Sequence, residues 1–83
     1  MKVLYFAWLR TKIGCAEEEI DLPKDVNTVA GVLDHLRSRG DAYAEALSAD
    51  KVIRVAVNQD YAQEVDIVRN EDEFAIFPPV TGG

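Results

Sequence analysis

At 83 residues the chain is long enough for one domain with a modest core, and 48% apolar residues place it among chains that fold. Fifteen Asp and Glu against nine Lys and Arg leave a net charge of −6, which argues against nucleic acid as a partner and suits contact with basic protein surfaces. No apolar run has the length of a membrane span, and Lys2 followed at once by Val3-Leu4-Tyr5 lacks a signal-peptide pattern, so a cytoplasmic protein with no membrane partner is expected. The one cysteine, Cys15, excludes an internal disulfide, a Cys-x-x-Cys redox pair and an iron–sulfur site.

Lys2 to Leu9 is apolar at nearly every position and reads as a first strand covered on both faces. After a loop through Gly14, the stretch Glu17 to Leu22 reads as a solvated second strand that Pro23 stops, with Glu17-Glu18-Glu19 guarding its edge. Val29, Val32, Leu33 and Leu36 fall at i, i+3, i+4 and i+7, the single stripe of an amphipathic helix. Asn27 or Thr28 suits its N-cap, Arg37 and Arg39 its C-terminal dipole, and Gly40 a left-handed stop. Tyr43 to Leu47 reads as a short second helix. A third strand covers Val52 to Val57, a weak one Tyr61 to Val65 after the turn Asn58-Gln59-Asp60, and a last one Glu73 to Phe77 after Asn70-Glu71-Asp72.

This order predicts an α+β fold of the β-grasp (ubiquitin-like) kind. One main helix packs on one face of a mixed sheet of four to five strands, and the third strand lies beside the first. Alternation assigns Ile53, Val55, Val57, Phe74 and Ile76 to the helix side. Leu4, Phe6 and Trp8 are expected on the opposite face with Ala75 and Phe77, an apolar patch suited to docking a partner.

Residues 1–77 are expected to form the domain and 78–83 an extended tail, Pro78-Pro79-Val80-Thr81-Gly82-Gly83. Two prolines hold the chain extended, and six residues so held reach roughly 20 Å. Past them nothing is bulkier than Val80 or Thr81, a shape fit for a narrow channel. No nucleophile–base constellation and no phosphate-cradling glycine loop occurs, and His35 has no companion for a metal or base site.

Phe6-Ala7-x-x-Arg10, Val57-Asn58-Gln59 and the ending Asp72-Glu73-x-Ala75-x-Phe77 through Gly83 together resemble the small-subunit family of molybdopterin synthase, the ubiquitin-like sulfur carriers of molybdenum cofactor biosynthesis. The resemblance covers the whole chain. It departs at Thr11-Lys12, where the family often carries Glu-Leu, which bears on one contact of the first loop. It implies a non-catalytic subunit of a sulfurtransferase, with no permanent cofactor and no metal. An ATP-dependent activating enzyme adenylates the terminal Gly83, a persulfide donor supplies sulfur, and Gly83 then carries a thiocarboxylate. The sulfur goes to cyclic pyranopterin monophosphate in the large subunit, in a heterotetramer of two small and two large subunits, and builds the dithiolene of molybdopterin.

In that scheme Gly83 and Gly82 remove steric hindrance, Thr81 offers a hydroxyl to the channel, Pro78 and Pro79 restrict the unbound tail, and Val80 is a further partner-binding candidate. Phe6 and Phe77 match the family's docking positions; Trp8 and Arg10 are further candidates beside them. Three other readings stay open: a carrier for thiazole or tRNA thiolation, a protein modifier joined to lysines through Gly83, and an interaction domain with an inert tail.

Overall fold

The computed structural model describes residues 1–79. The elements are β1 (Lys2–Tyr5), α1 (Trp8–Ile13), β2 (Glu17–Glu19), α2 (Val29–Arg37), α3 (Asp41–Ala46), β3 (Arg54–Val57), β4 (Asp60–Ala62) and β5 (Glu73–Phe77). One five-stranded sheet runs β2-β1-β5-β3-β4, with β1 and β5 parallel and every other pair antiparallel. The mixed sheet with α2 on one face is the arrangement expected. The expected pairing of the third strand with the first is not found, because β5 lies between them. β5 is apolar at four consecutive positions, Phe74 to Phe77, so it suits the sheet centre, whereas β3 carries Arg54 and lies one place further out.

The core sits between the sheet and α2. Val3 and Tyr5 of β1, Phe74 and Ile76 of β5 and Val55 of β3 meet Val29, Val32, Leu33 and Leu36 in one buried cluster. Burying each such side chain is worth about 1.5–3 kcal/mol, so this face carries most of the stability. Ile53 and Val57 pack at its margin, as alternation predicts. Thr28 caps α2, its hydroxyl oxygen accepting the Gly31 N–H at 3.1 Å. Gly40 does not form the expected left-handed stop. Its backbone is extended (φ 158°, ψ 171°) and opens α3, while Ser38 ends α2 in right-handed geometry.

The first strand is shorter than its apolar run suggests. The chain breaks at Ala7 (φ 56°, ψ −135°), and Trp8 begins α1. The reason is packing: Leu9 turns inward and is fully buried, and Ile13, one helical turn on, packs against the same core. Gly14 closes α1 in the left-handed region (φ 101°), its N–H donating to the Arg10 carbonyl at 2.9 Å.

A second correction concerns the acidic run. Glu17 pairs with Lys2 at 3.3 Å near the surface, but Glu18 is not a solvated edge. It stands opposite Val3 in the ladder and so shares the helix-side parity. One of its carboxylate oxygens accepts from the Tyr5 and Tyr43 hydroxyls, both at 2.7 Å, and the other faces the Arg39 guanidinium at 3.2 Å. Burial, reinforced by these bonds to Glu18, pushes both tyrosines above their ordinary range. The carboxylate thereby ties β1 and β2 to α3 and the end of α2. Arg37 completes the corner, donating from Nε to the Leu47 carbonyl at 2.6 Å and pairing with Asp34 at 2.7 Å.

Candidate functional site: the open sheet face and the root of the tail

The side of the sheet away from α2 is built by the alternate residues of the same strands. Ala75 of β5 stands directly between Leu4 of β1 and Ala56 of β3, and Ala56 pairs in turn with Tyr61 of β4. These small and medium side chains make an apolar shelf in which Leu4 and Ala75 are half-buried and Ala56 is buried. At one end of it the Phe6 N–H donates to the Ile76 carbonyl at 3.1 Å, which continues the parallel ladder and sets Phe6 alongside Phe77. The ring of Tyr61 lies 5.9 Å from that of Phe77, tilted by 49°. Phe6 is 47% exposed and Tyr61 80%, so this aromatic group is open to a partner among the described residues.

The expected outward set is therefore found for Leu4, Phe6, Ala75 and Phe77, with one correction. Trp8 is exposed but lies on α1 rather than on the strand, because the break at Ala7 removes it from the alternation. Its ring faces the Lys51 ammonium at 5.8 Å. Arg10, on the same helix, is exposed and has no carboxylate within ion-pair distance among the described residues. Lys12 pairs inside the chain with Glu45 at 2.8 Å. Tyr61 is the residue that sequence reasoning missed. Its signal was available in principle, since hairpin register across Asn58-Gln59 aligns it with the outward Ala56.

β5 leads from the sheet centre into Pro78 and Pro79, both half-buried. Val80, Thr81, Gly82 and Gly83 lie outside the described residues. Beside this root opens a groove of about 790 Å³, bounded by Phe77 and Pro79, by Val29 and Leu33 of α2, by residues 51–55, and by Tyr61 to Glu64. Cys15 is half-buried with its thiol 4.0 Å from the Glu18 carboxylate, and burial followed by that negative charge pushes its pKa up, away from a reactive thiolate. No group of metal-ligating side chains forms among the described residues, and no helix there is long and apolar enough to cross a membrane.

The ThiS family profile matches residues 3–83. The chain belongs to the ThiS family. This ThiS-family chain is 43% identical to the molybdopterin synthase sulfur carrier subunit of Haemophilus influenzae, over all of this chain and 99% of that one. It is 37% identical to the subunit of the same name from Escherichia coli, with the same coverage. In three dimensions it resembles the small archaeal modifier protein 1 of Haloferax volcanii, at 29% identity and a TM-score of 0.76, over 96% of this chain and 97% of that one. The β-grasp fold expected from the order of elements is thus the fold of its structural relatives.

Proposed function

We propose that this chain is a sulfur carrier of molybdopterin synthase, made of a β-grasp domain at residues 1–77 and a delivery tail at 78–83. The observation that carries the reading is the full-length similarity to subunits bearing that name, with the family match running through Gly83. A carboxylate resists attack because its charge is delocalised and oxide is a poor leaving group. An ATP-dependent enzyme would convert the Gly83 carboxylate to an acyl-adenylate and release pyrophosphate. A persulfide would then displace AMP, and a thiol would cleave the resulting sulfur–sulfur bond to leave the thiocarboxylate. Its soft, unhindered sulfur is the nucleophile passed to the pterin substrate held by the large subunit.

The chain's own part in this is delivery. Phe6, Phe77 and Tyr61 supply the aromatic anchors of docking, and the shelf of Leu4, Ala75 and Ala56 gives a floor against which the large subunit can close. Trp8 and Arg10 flank that surface on α1. Pro78 and Pro79 restrict the approach to the tail before binding, which lowers the ordering cost of insertion. Val80 and Thr81 would line the channel, and Gly82 and Gly83 would leave room for the attacking sulfur. The reading places the protein in the cytoplasm, in a heterotetramer with the large subunit.

Removing Gly83 tests this reading. The truncated chain should bind the large subunit but support no sulfur transfer in a reconstituted synthesis of molybdopterin; retained synthesis would overturn it. One alternative has support, since a structural relative is named a modifier protein. In that case Gly83 would form isopeptide bonds to lysines, visible as conjugates of higher mass on a denaturing gel.

A further inference from the structure

The chain carries a net charge of −6, yet the groove beside the tail root is locally basic. Among the described residues its walls hold Arg37, Lys51 and Arg54 against one carboxylate, Glu64. Arg37 is already committed to Asp34 and the Leu47 carbonyl. Lys51 and Arg54 are exposed, and neither has a carboxylate within ion-pair distance among the described residues. Glu45 is held below its usual range chiefly by Lys12 and Asp50 chiefly by the Ser48 hydroxyl, with Lys51 the smallest contributor to each, and Lys51 forms an ion pair with neither. Its ammonium instead lies over Trp8, so the groove and the exposed indole share one cation.

The floor between these cations is apolar. Val29 and Leu33 come from α2 and Ile53 and Val55 from the opposite wall, so the groove can bury side chains as well as pair charges. It also begins where the described chain ends, at Phe77 and Pro79.

We propose that this groove seats an acidic segment with apolar anchors from the large subunit, its carboxylates meeting Lys51 and Arg54 and its apolar side chains lying on Ile53. This rests on the sulfur-carrier reading and adds to it a charged contact that continues from the aromatic group, whose Phe77 and Tyr61 also line the groove. Charge complementarity selects the occupant: the cations stand in a strongly acidic molecule and draw in carboxylates that the rest of the surface repels. The contact fixes the orientation of the tail root as well as adding affinity, because the groove and the aromatic group both include Phe77 at the end of β5.

The test uses the full chain labelled at Ile and Val methyls and with 5-fluorotryptophan at Trp8, titrated with the unlabelled recombinant large subunit. The Ile53 methyl and the Trp8 fluorine resonance should both shift on binding, while Ile20 and Ile67 stay in place. Lys51→Glu and Arg54→Glu should each weaken binding about tenfold, whereas Lys24→Glu, with the same charge change outside the groove, should leave it within about twofold. Binding with Ile53 unmoved overturns the groove contact and leaves the carrier reading intact. Equal losses in all three variants also overturn it, since the effect would be one of net charge. Shifts at Ile53 that depend only on the concentration of this chain would make the occupant a second copy. Failure of the wild-type chain to bind the large subunit at all would remove the carrier reading and this contact together.

Discussion

The two faces of the sheet are cut from the same strands, and adjacent residues meet opposite fates. Tyr5 is buried and Phe6 is half exposed; Ile76 is sealed in the core and Phe77 reaches Tyr61 at the surface. Hydropathy alone does not separate these pairs. The covered face is specified by α2, which supplies a complementary stripe, and the open face is left apolar without such a cover among the described residues. In a chain this small, apolar area withheld from the core is a sizeable loss of stability, which fits a surface kept for a partner.

Substitutions should therefore divide by face. Phe74→Ala, on the covered face, is expected to cost about 3–5 kcal/mol of folding stability, read by denaturant unfolding, because it empties a fully buried site. A smaller loss would show that the core collapses around the gap. Phe77→Ala should have the opposite profile, weakening binding to the large subunit by about 2 kcal/mol, read by calorimetry, with a much smaller change in stability. Equal losses of stability from the two variants would abolish the distinction between the faces.

The sequence reveals the covered face more readily than the open one. The helix stripe at Val29, Val32, Leu33 and Leu36 has one clean period, and the strand Glu73–Phe77 lies between the turn at Asn70-Glu71-Asp72 and Pro78, so both are read as they occur. The first strand misleads because Val3 to Leu9 is apolar at both parities, so the change of period after Phe6 leaves no trace in hydropathy. Gly14 and the basic residues of the last turn were the local signs of α1. The place of β5 beside β1 and the role of Glu18 arise from long-range pairing. Tyr5, Arg39 and Tyr43 are distant from Glu18 in sequence and meet only in the fold.

The tie at Glu18 sharpens the comparison by pH. Tyr5 holds its proton more tightly folded than unfolded, because burial and then the Glu18 carboxylate raise its pKa above the ordinary 10.0. Its contribution is fully present below pH 10 and is lost as the pH rises above that value, at about 1.4 kcal/mol per pH unit. Unfolding followed across this range should show the decline, and Tyr5→Phe should flatten it. An unchanged slope in that variant would mean that the alkaline loss arises elsewhere.

The smallest effect is expected away from both faces, at the β3–β4 turn. Asn58 and Gln59 both have positive φ, at 51° and 72°. Asn58 is repaid by its side-chain bonds to Asp72 and the Glu73 N–H, whereas glutamine has no such local aid to this backbone. Gln59→Gly should therefore raise stability by about 0.5–1 kcal/mol in thermal unfolding and leave docking unchanged. A loss of stability would indicate that the Gln59 side chain makes a contribution larger than its strain.

The most direct test of the central claim is the intact mass of the chain after incubation with its activating enzyme, ATP and a persulfide donor. The account predicts one oxygen exchanged for sulfur, localised to Gly83 by fragmentation. Sulfur found on Cys15 instead, or a mass unchanged under conditions that activate a known carrier, would contradict it.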